Sequence, residues 1–219
     1  MNKIQQQSIE KTKNFVQQEL SNAEGGHDWW HIYRVWKTAS RIAMEEKVDE
    51  FIVQMAAILH DIADSKFHDG DENIGPEKAV SFMIQLKLDD NTINHIEAII
   101  RNMSFKNTFD NITFNSTELD VVTDADRLDA IGAIGIARTF NYGGHKGSEI
   151  YNSNIKPNLD MTKKEYKNSN APTINHFYEK LFLLRDMMKT KTGKKLAAER
   201  HTFMEMYLEQ FYAEWDGAR

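Results

Sequence analysis

The chain contains no cysteine, so a disulfide framework and a thiolate-held metal are both excluded, and any metal site must be built from His, Asp or Glu. Proline is nearly as scarce: Pro76, Pro157 and Pro172 are the only three in 219 residues, which leaves long stretches able to run as helix. No uninterrupted apolar run approaches the ~20 residues that span a bilayer, and Met1-Asn2-Lys3-Ile4-Gln5-Gln6-Gln7 leads into an amphipathic pattern instead of an apolar signal core. Basic residues are outnumbered, with 27 Lys and Arg against 33 Asp and Glu and a net charge of -6. That balance argues against a long nucleic-acid partner, which would require a basic face. The expectation is a cytoplasmic protein with no membrane association. A small phosphorylated substrate stays compatible with the acidic balance, because a bound divalent cation supplies positive charge locally.

What the chain does have is apolar residues at helical spacing, without strand-like alternation. An all-α fold is expected, with helices near 3–20, 28–46, 50–63, 76–87, 91–103, 117–129, 131–142, 173–190 and 194–214. Asp28, Asp49, Asp90, Thr117, Thr173 and Thr192 precede apolar runs and are the candidate N-caps. Two segments break the periodicity. Residues 64–75 are polar and contain glycine, and residues 143–172 carry Gly143, Gly144, Gly147, Pro157 and Pro172. A break of the second length is the kind that forms a lid or a binding segment. No repeat or Gly/Ser/Pro linker divides the chain, so one domain spanning 1–219 is expected, with a core at about 20–142, a loop at 143–172 and C-terminal helices at 173–216.

Three clusters carry potential metal chemistry. His60-Asp61 follows the apolar stretch of Phe51, Ile52, Met55, Ala56, Ile58 and Leu59, so a deeply packed helix ends in two potential ligands at the edge of the core. Upstream, His31 falls one turn into a helix starting near Asp28. His27 lies at or before its cap, as a capping or substrate-side residue or as an i, i+4 partner of His31 on one ion. Downstream, Asp124, Asp126 and Asp129 interleave with Val122, Ala125, Leu128 and Ile131 at core spacing. Carboxylates so close to buried surface need a cation or Arg127 as relief. Two imidazoles and at least two carboxylates suit a hydrolytic divalent ion with open positions for water and substrate.

Gly26-His27-Asp28-Trp29-Trp30-His31, Leu59-His60-Asp61-Ile62-Ala63-Asp64, Asp124-Ala125-Asp126-Arg127-Leu128-Asp129, Asn175-His176-Phe177-Tyr178 and Glu199-Arg200-His201 together resemble the HD-domain metal-dependent phosphohydrolase superfamily, in its small bacterial YpgQ/YedJ-like branch. The similarity covers most of residues 20–216. It implies an all-helical HD-type bundle, one divalent ion (Mn, Co, Ni, Fe or Mg) held by His31, His60, Asp61 and Asp126, and hydrolysis of nucleoside or deoxynucleoside triphosphates to monophosphate and pyrophosphate. The alternatives are hydrolysis of another phosphoester, such as a nucleoside monophosphate or cyclic nucleotide, and a non-catalytic metal-stabilised nucleotide-binding module.

Hydrolysis also needs a proton acceptor and cationic groups near the developing phosphate charge. Asp64, three residues past Asp61, is the candidate base or orienting group, or else a cap or ion-pair partner of Lys66. Lys66 is the second catalytic candidate. Candidates for holding the substrate are His27, Arg34, Arg127, Lys146, His176 and Lys180, with Tyr142 placed to stack on a base.

Overall fold

A computed structural model describes residues 1–21, 28–63, 71, 73–103, 114–161 and 170–219. Every regular element among them is helical, as expected. The chain groups into two compact units, Met1–Asp126 and Arg127–Arg219.

The first unit holds α1 (Lys3–Glu19), α2 (Trp29–Glu46), α3 (Glu50–Leu59), α4 (Ile74–Gln85), α5 (Asp90–Asn102) and α6 (Thr117–Asp129), whose last turn crosses into the second unit. Its centre is α3, apolar on nearly every face and buried from Phe51 to Leu59. It packs against α1, α2 and α5. Ile9 and Val16 of α1, Ile32, Val35 and Ile42 of α2, and Ile96 and Ile99 of α5 complete an aliphatic core. Each such side chain taken fully out of water is worth about 1.5–3 kcal/mol.

Local rules set the helix ends. Asp28 accepts a hydrogen bond from His31 N at 2.9 Å, and Asp49 accepts from Phe51 N and Ile52 N, so both act as N-caps as expected. The cap of α5 is Asp89 and not Asp90, and that of the C-terminal helix is Thr190 and not Thr192. In each case the capping residue has extended backbone, and the residue proposed instead lies inside the helix. The expected helix at 50–63 stops at Leu59, because His60 caps it by donating from its ring to the carbonyl of Ala57. Pro76 lies in the first turn of α4, where its missing N–H costs nothing, so that helix begins at Ile74, two residues earlier than expected.

The second unit contains α7 (Gly132–Lys146), a π turn (Phe177–Leu181), a 3₁₀ segment (Phe182–Met187) and α8 (Lys191–Trp215). Two expectations are corrected here. First, the irregular segment begins at Gly147 and not at Gly143. Gly143 is buried, and a Cβ there would lie 2.3 Å from Thr173 Oγ1, so this glycine serves close packing inside the helix. The stop is Gly147, at φ 67°, whose N–H closes on the carbonyls of Gly143 and Gly144. Second, 173–190 is not one α-helix. Phe177, fully buried, stacks on Tyr207 at 6.0 Å and meets Phe140 and Phe182 at 6.2 and 6.4 Å, all within the π and 3₁₀ turns and their neighbours. Apolar spacing over so short a run does not distinguish i+4 from i+5 or i+3 bonding. The irregular stretch is held down where it is described: Thr173 N donates to Glu149 O at 2.8 Å and Asn175 Nδ2 to Ile155 O at 3.1 Å.

Candidate metal centre

His31 lies in the first turn of α2 and His60 at the C-terminal end of α3, while Asp126 is in the last turn of α6. Each position follows from the core. Ile32 and Val35 draw one face of α2 inward and leave His31 only 4% exposed, and the buried length of α3 carries His60 to the boundary of the packed interior. Ala125 and Leu128, both fully buried, set the rotation of α6 and leave the Asp126 carboxylate 40% exposed between them.

Among the described residues, His31, His60 and Asp126 form a group in which one ligand atom from each lies within 4.8 Å of the others. His31 Nε2 is 3.4 Å from Asp126 Oδ1 and His60 Nε2 is 3.9 Å from the same oxygen, with the two imidazoles edge to face at 5.4 Å. The bond from His60 Nδ1 to Ala57 O, 2.9 Å, places a proton on that nitrogen and turns Nε2, the nitrogen that would bind a metal, towards Asp126. This donor set fits a divalent ion. Ligand atoms each about 2.1 Å from one ion stand about 3–4 Å apart, which is the spacing of Asp126 Oδ1 from each imidazole nitrogen, and mixed imidazole and carboxylate donors suit the borderline divalent metals. Asp61, half-buried beside His60, is not part of this close group.

The other expected residues fall as follows. His27, Asp64 and Lys66 lie outside the described residues. Arg34 is partly buried on α2, one turn beyond Trp30. In the second unit, Arg127 donates to Met187 O at 2.6 Å, and Asp129, one of the three acids, pairs with Arg138. Tyr142 is 61% exposed near the end of α7, with Lys146 Nζ 5.7 Å over its ring. Desolvation, aided by the charge of Lys180 one turn on, pushes the His176 pKa down to about 4, so this imidazole is neutral at physiological pH. Ala57 was not visible to sequence reasoning, because its contribution is a backbone carbonyl that no side-chain motif encodes.

The sequence matches the HD domain family over residues 29–131, a span that includes His31, His60, Asp61 and Asp126. The YpgQ protein of Bacillus subtilis is 35% identical over 209 residues, covering 95% of this chain and 94% of YpgQ. The crystal structure of an HD-superfamily hydrolase from Bacillus thuringiensis has a TM-score of 0.80 to this structure at 42% identity, covering 97% of this chain and 98% of that one. The crystal structure of B. subtilis YpgQ in complex with ADP has a TM-score of 0.74 at 34% identity, covering 96% of each chain. With an all-helical fold, the expected histidines and aspartate brought together, and relatives of this closeness over nearly its full length, the chain belongs to the HD-domain hydrolase superfamily and is similar throughout to YpgQ.

Proposed function

We propose that this protein is a metal-dependent nucleotide pyrophosphohydrolase, converting nucleoside or deoxynucleoside triphosphates to the monophosphate and pyrophosphate. The observation that carries the metal-dependent part is the convergence of His31 Nε2 and His60 Nε2 on Asp126 Oδ1. The nucleotide part is supported by the ADP complex of YpgQ. His31, His60 and Asp126 would hold the ion, with Asp61 as the fourth ligand. A bound divalent ion supplies Lewis acidity, polarising a phosphate oxygen and making water nucleophilic near neutral pH.

This chain's own groups then have three tasks. Asp64 accepts the proton as water oxygen bonds to the α-phosphorus and the bond to the α–β bridging oxygen breaks, with pyrophosphate leaving. Arg34, Lys66, Arg127, Lys146 and Lys180 are the cationic candidates for the phosphate chain, with His27 and His176 as hydrogen-bonding groups and Tyr142 as a stacking surface for the base. The neutrality of His176 is consistent with hydrogen bonding and not with charge pairing.

The test is product analysis of the purified protein with Mn²⁺, Co²⁺, Ni²⁺ or Mg²⁺ and a panel of nucleotides. Monophosphate plus pyrophosphate is the expected result. Stepwise release of inorganic phosphate supports a different phosphohydrolase, and absence of turnover with all four metals supports a binding module. Asp64→Asn is expected to retain metal and lose at least about 100-fold in kcat.

A further inference from the structure

The last turn of α6 ends three residues beyond Asp126. Helix ends fray because their final carbonyls lack intrahelical partners, and the Asp126 carboxylate, 40% exposed, is not fixed by burial. The residues that follow it are tied down by an unusual set of bonds. Arg200 of α8 donates from Nη1 to Leu128 O, one of those terminal carbonyls. Arg127 donates to Met187 O, at the end of the 3₁₀ segment. Asp129, an acid at the negative end of the helix dipole, is compensated by its ion pair with Arg138.

Gly132 is part of the same arrangement. It turns the chain at φ 76°, and a Cβ there would lie 2.9 Å from Arg200 Cγ and 3.1 Å from its Cβ. The absent side chain is the space through which the aliphatic stem of Arg200 passes to reach Leu128 O. A left-handed glycine and a long cationic side chain from a helix some 70 residues away therefore converge on the turn that immediately follows a metal ligand.

We infer that Arg200 is a positioning residue for Asp126: by capping the C-terminal carbonyls of α6, it holds the last turn in register and so holds the carboxylate at its place between His31 and His60. This rests on the reading of Asp126 as a metal ligand.

The test is calorimetric titration of Mn²⁺ into the metal-stripped full-length protein without nucleotide. Arg200→Met is expected to weaken Mn²⁺ binding by roughly 10-fold, with helical circular dichroism retained, and Arg200→Lys, which keeps a donor, by less. Gly132→Ala leaves every ligand and Arg200 in place but closes the passage for the stem, so it too should weaken binding; it also serves if Arg200→Met fails to fold. Hydrogen exchange should speed up at the amides of Ala130 and Ile131, which bond the carbonyls of Arg127 and Leu128 at 3.1 and 3.2 Å. Unchanged Mn²⁺ affinity in the folded variants, with only a lowered Tm, overturns the inference, as does a wild-type protein that binds no Mn²⁺. Mn²⁺ binding that depends on Arg200 in a protein that hydrolyses no nucleotide would refute the proposed activity and leave this inference standing.

Discussion

The two units of this chain both bury aliphatic side chains but differ in the backbone that carries them and in the rings packed around them. Residues 1–126 bury aliphatic side chains between regular α-helices, with the mostly apolar α3 at the centre. Residues 127–219 also bury aliphatic side chains, among them Ile131, Ile174, Leu181 and Leu208, but surround them with ring contacts: Phe140, Phe177, Phe182 and Tyr207 form one cluster about the buried Phe177, and Tyr151 meets Phe211, Tyr212 and Trp215 at 5.1–5.9 Å. Aliphatic residues at i, i+3 and i+4 are satisfied by an ordinary α-helix. Large flat rings need particular mutual orientations, and the backbone around them adopts π and 3₁₀ turns. The close metal-ligand group belongs wholly to residues 1–126, where regular helices fix the direction of each side chain.

Substitutions in the two cores probe this difference most strongly. Phe177→Ala removes a fully buried ring at the centre of the aromatic cluster and should cost about 3–5 kcal/mol, against about 2–5 kcal/mol for Ile58→Ala in α3. Urea denaturation of both variants checks this, and a Phe177→Ala cost below 1 kcal/mol would deny the cluster its structural role. A pH effect follows. The unfolded chain protonates His176 at its ordinary value of 6.5, whereas the folded chain resists to about 4. The unfolded state therefore binds more protons in that window, and stability falls as pH drops from 6.5 towards 4, by up to about 3 kcal/mol. His176→Gln should flatten that part of the stability profile; an unaltered profile would place the acid sensitivity elsewhere.

Smaller effects sharpen the contrast in backbone rules. Gly143→Ala should lower stability by about 1–3 kcal/mol, because the new Cβ meets the Thr173 hydroxyl inside a packed helix. A gain in stability, the usual effect of adding a Cβ in an open helix, would contradict that reading. Asp49→Ala removes the acceptor for Phe51 N and Ile52 N and should cost about 1 kcal/mol by thermal melting.

The same contrast governs how much was legible from the sequence. In residues 1–126, the periodicity of Phe51 to Leu59 revealed a buried helix, and Asp28 and Asp49 were recognisable as caps because each is an acceptor just ahead of an apolar run. Asp89 and Asp90 are adjacent acids, and only the backbone turn at Asp89 selects between them. In residues 127–219, glycines that pack look the same in sequence as glycines that end a helix, so Gly143 passed for a stop while Gly147 is the one of the two in left-handed conformation. At the site, the residue types of His31, His60 and Asp126 foretold their convergence. The main-chain partners did not show: the carbonyl of Ala57 that orients His60 and the carbonyl of Leu128 that receives Arg200 carry no sequence signature.

The central claim is that His31, His60 and Asp126 hold one divalent ion, and elemental analysis of the protein equilibrated with Mn²⁺ and then desalted tests it most directly. Wild-type protein should retain close to one equivalent, while His60→Ala and Asp126→Ala, each still helical by circular dichroism, should retain little or none. Stoichiometric metal in both variants would contradict the account.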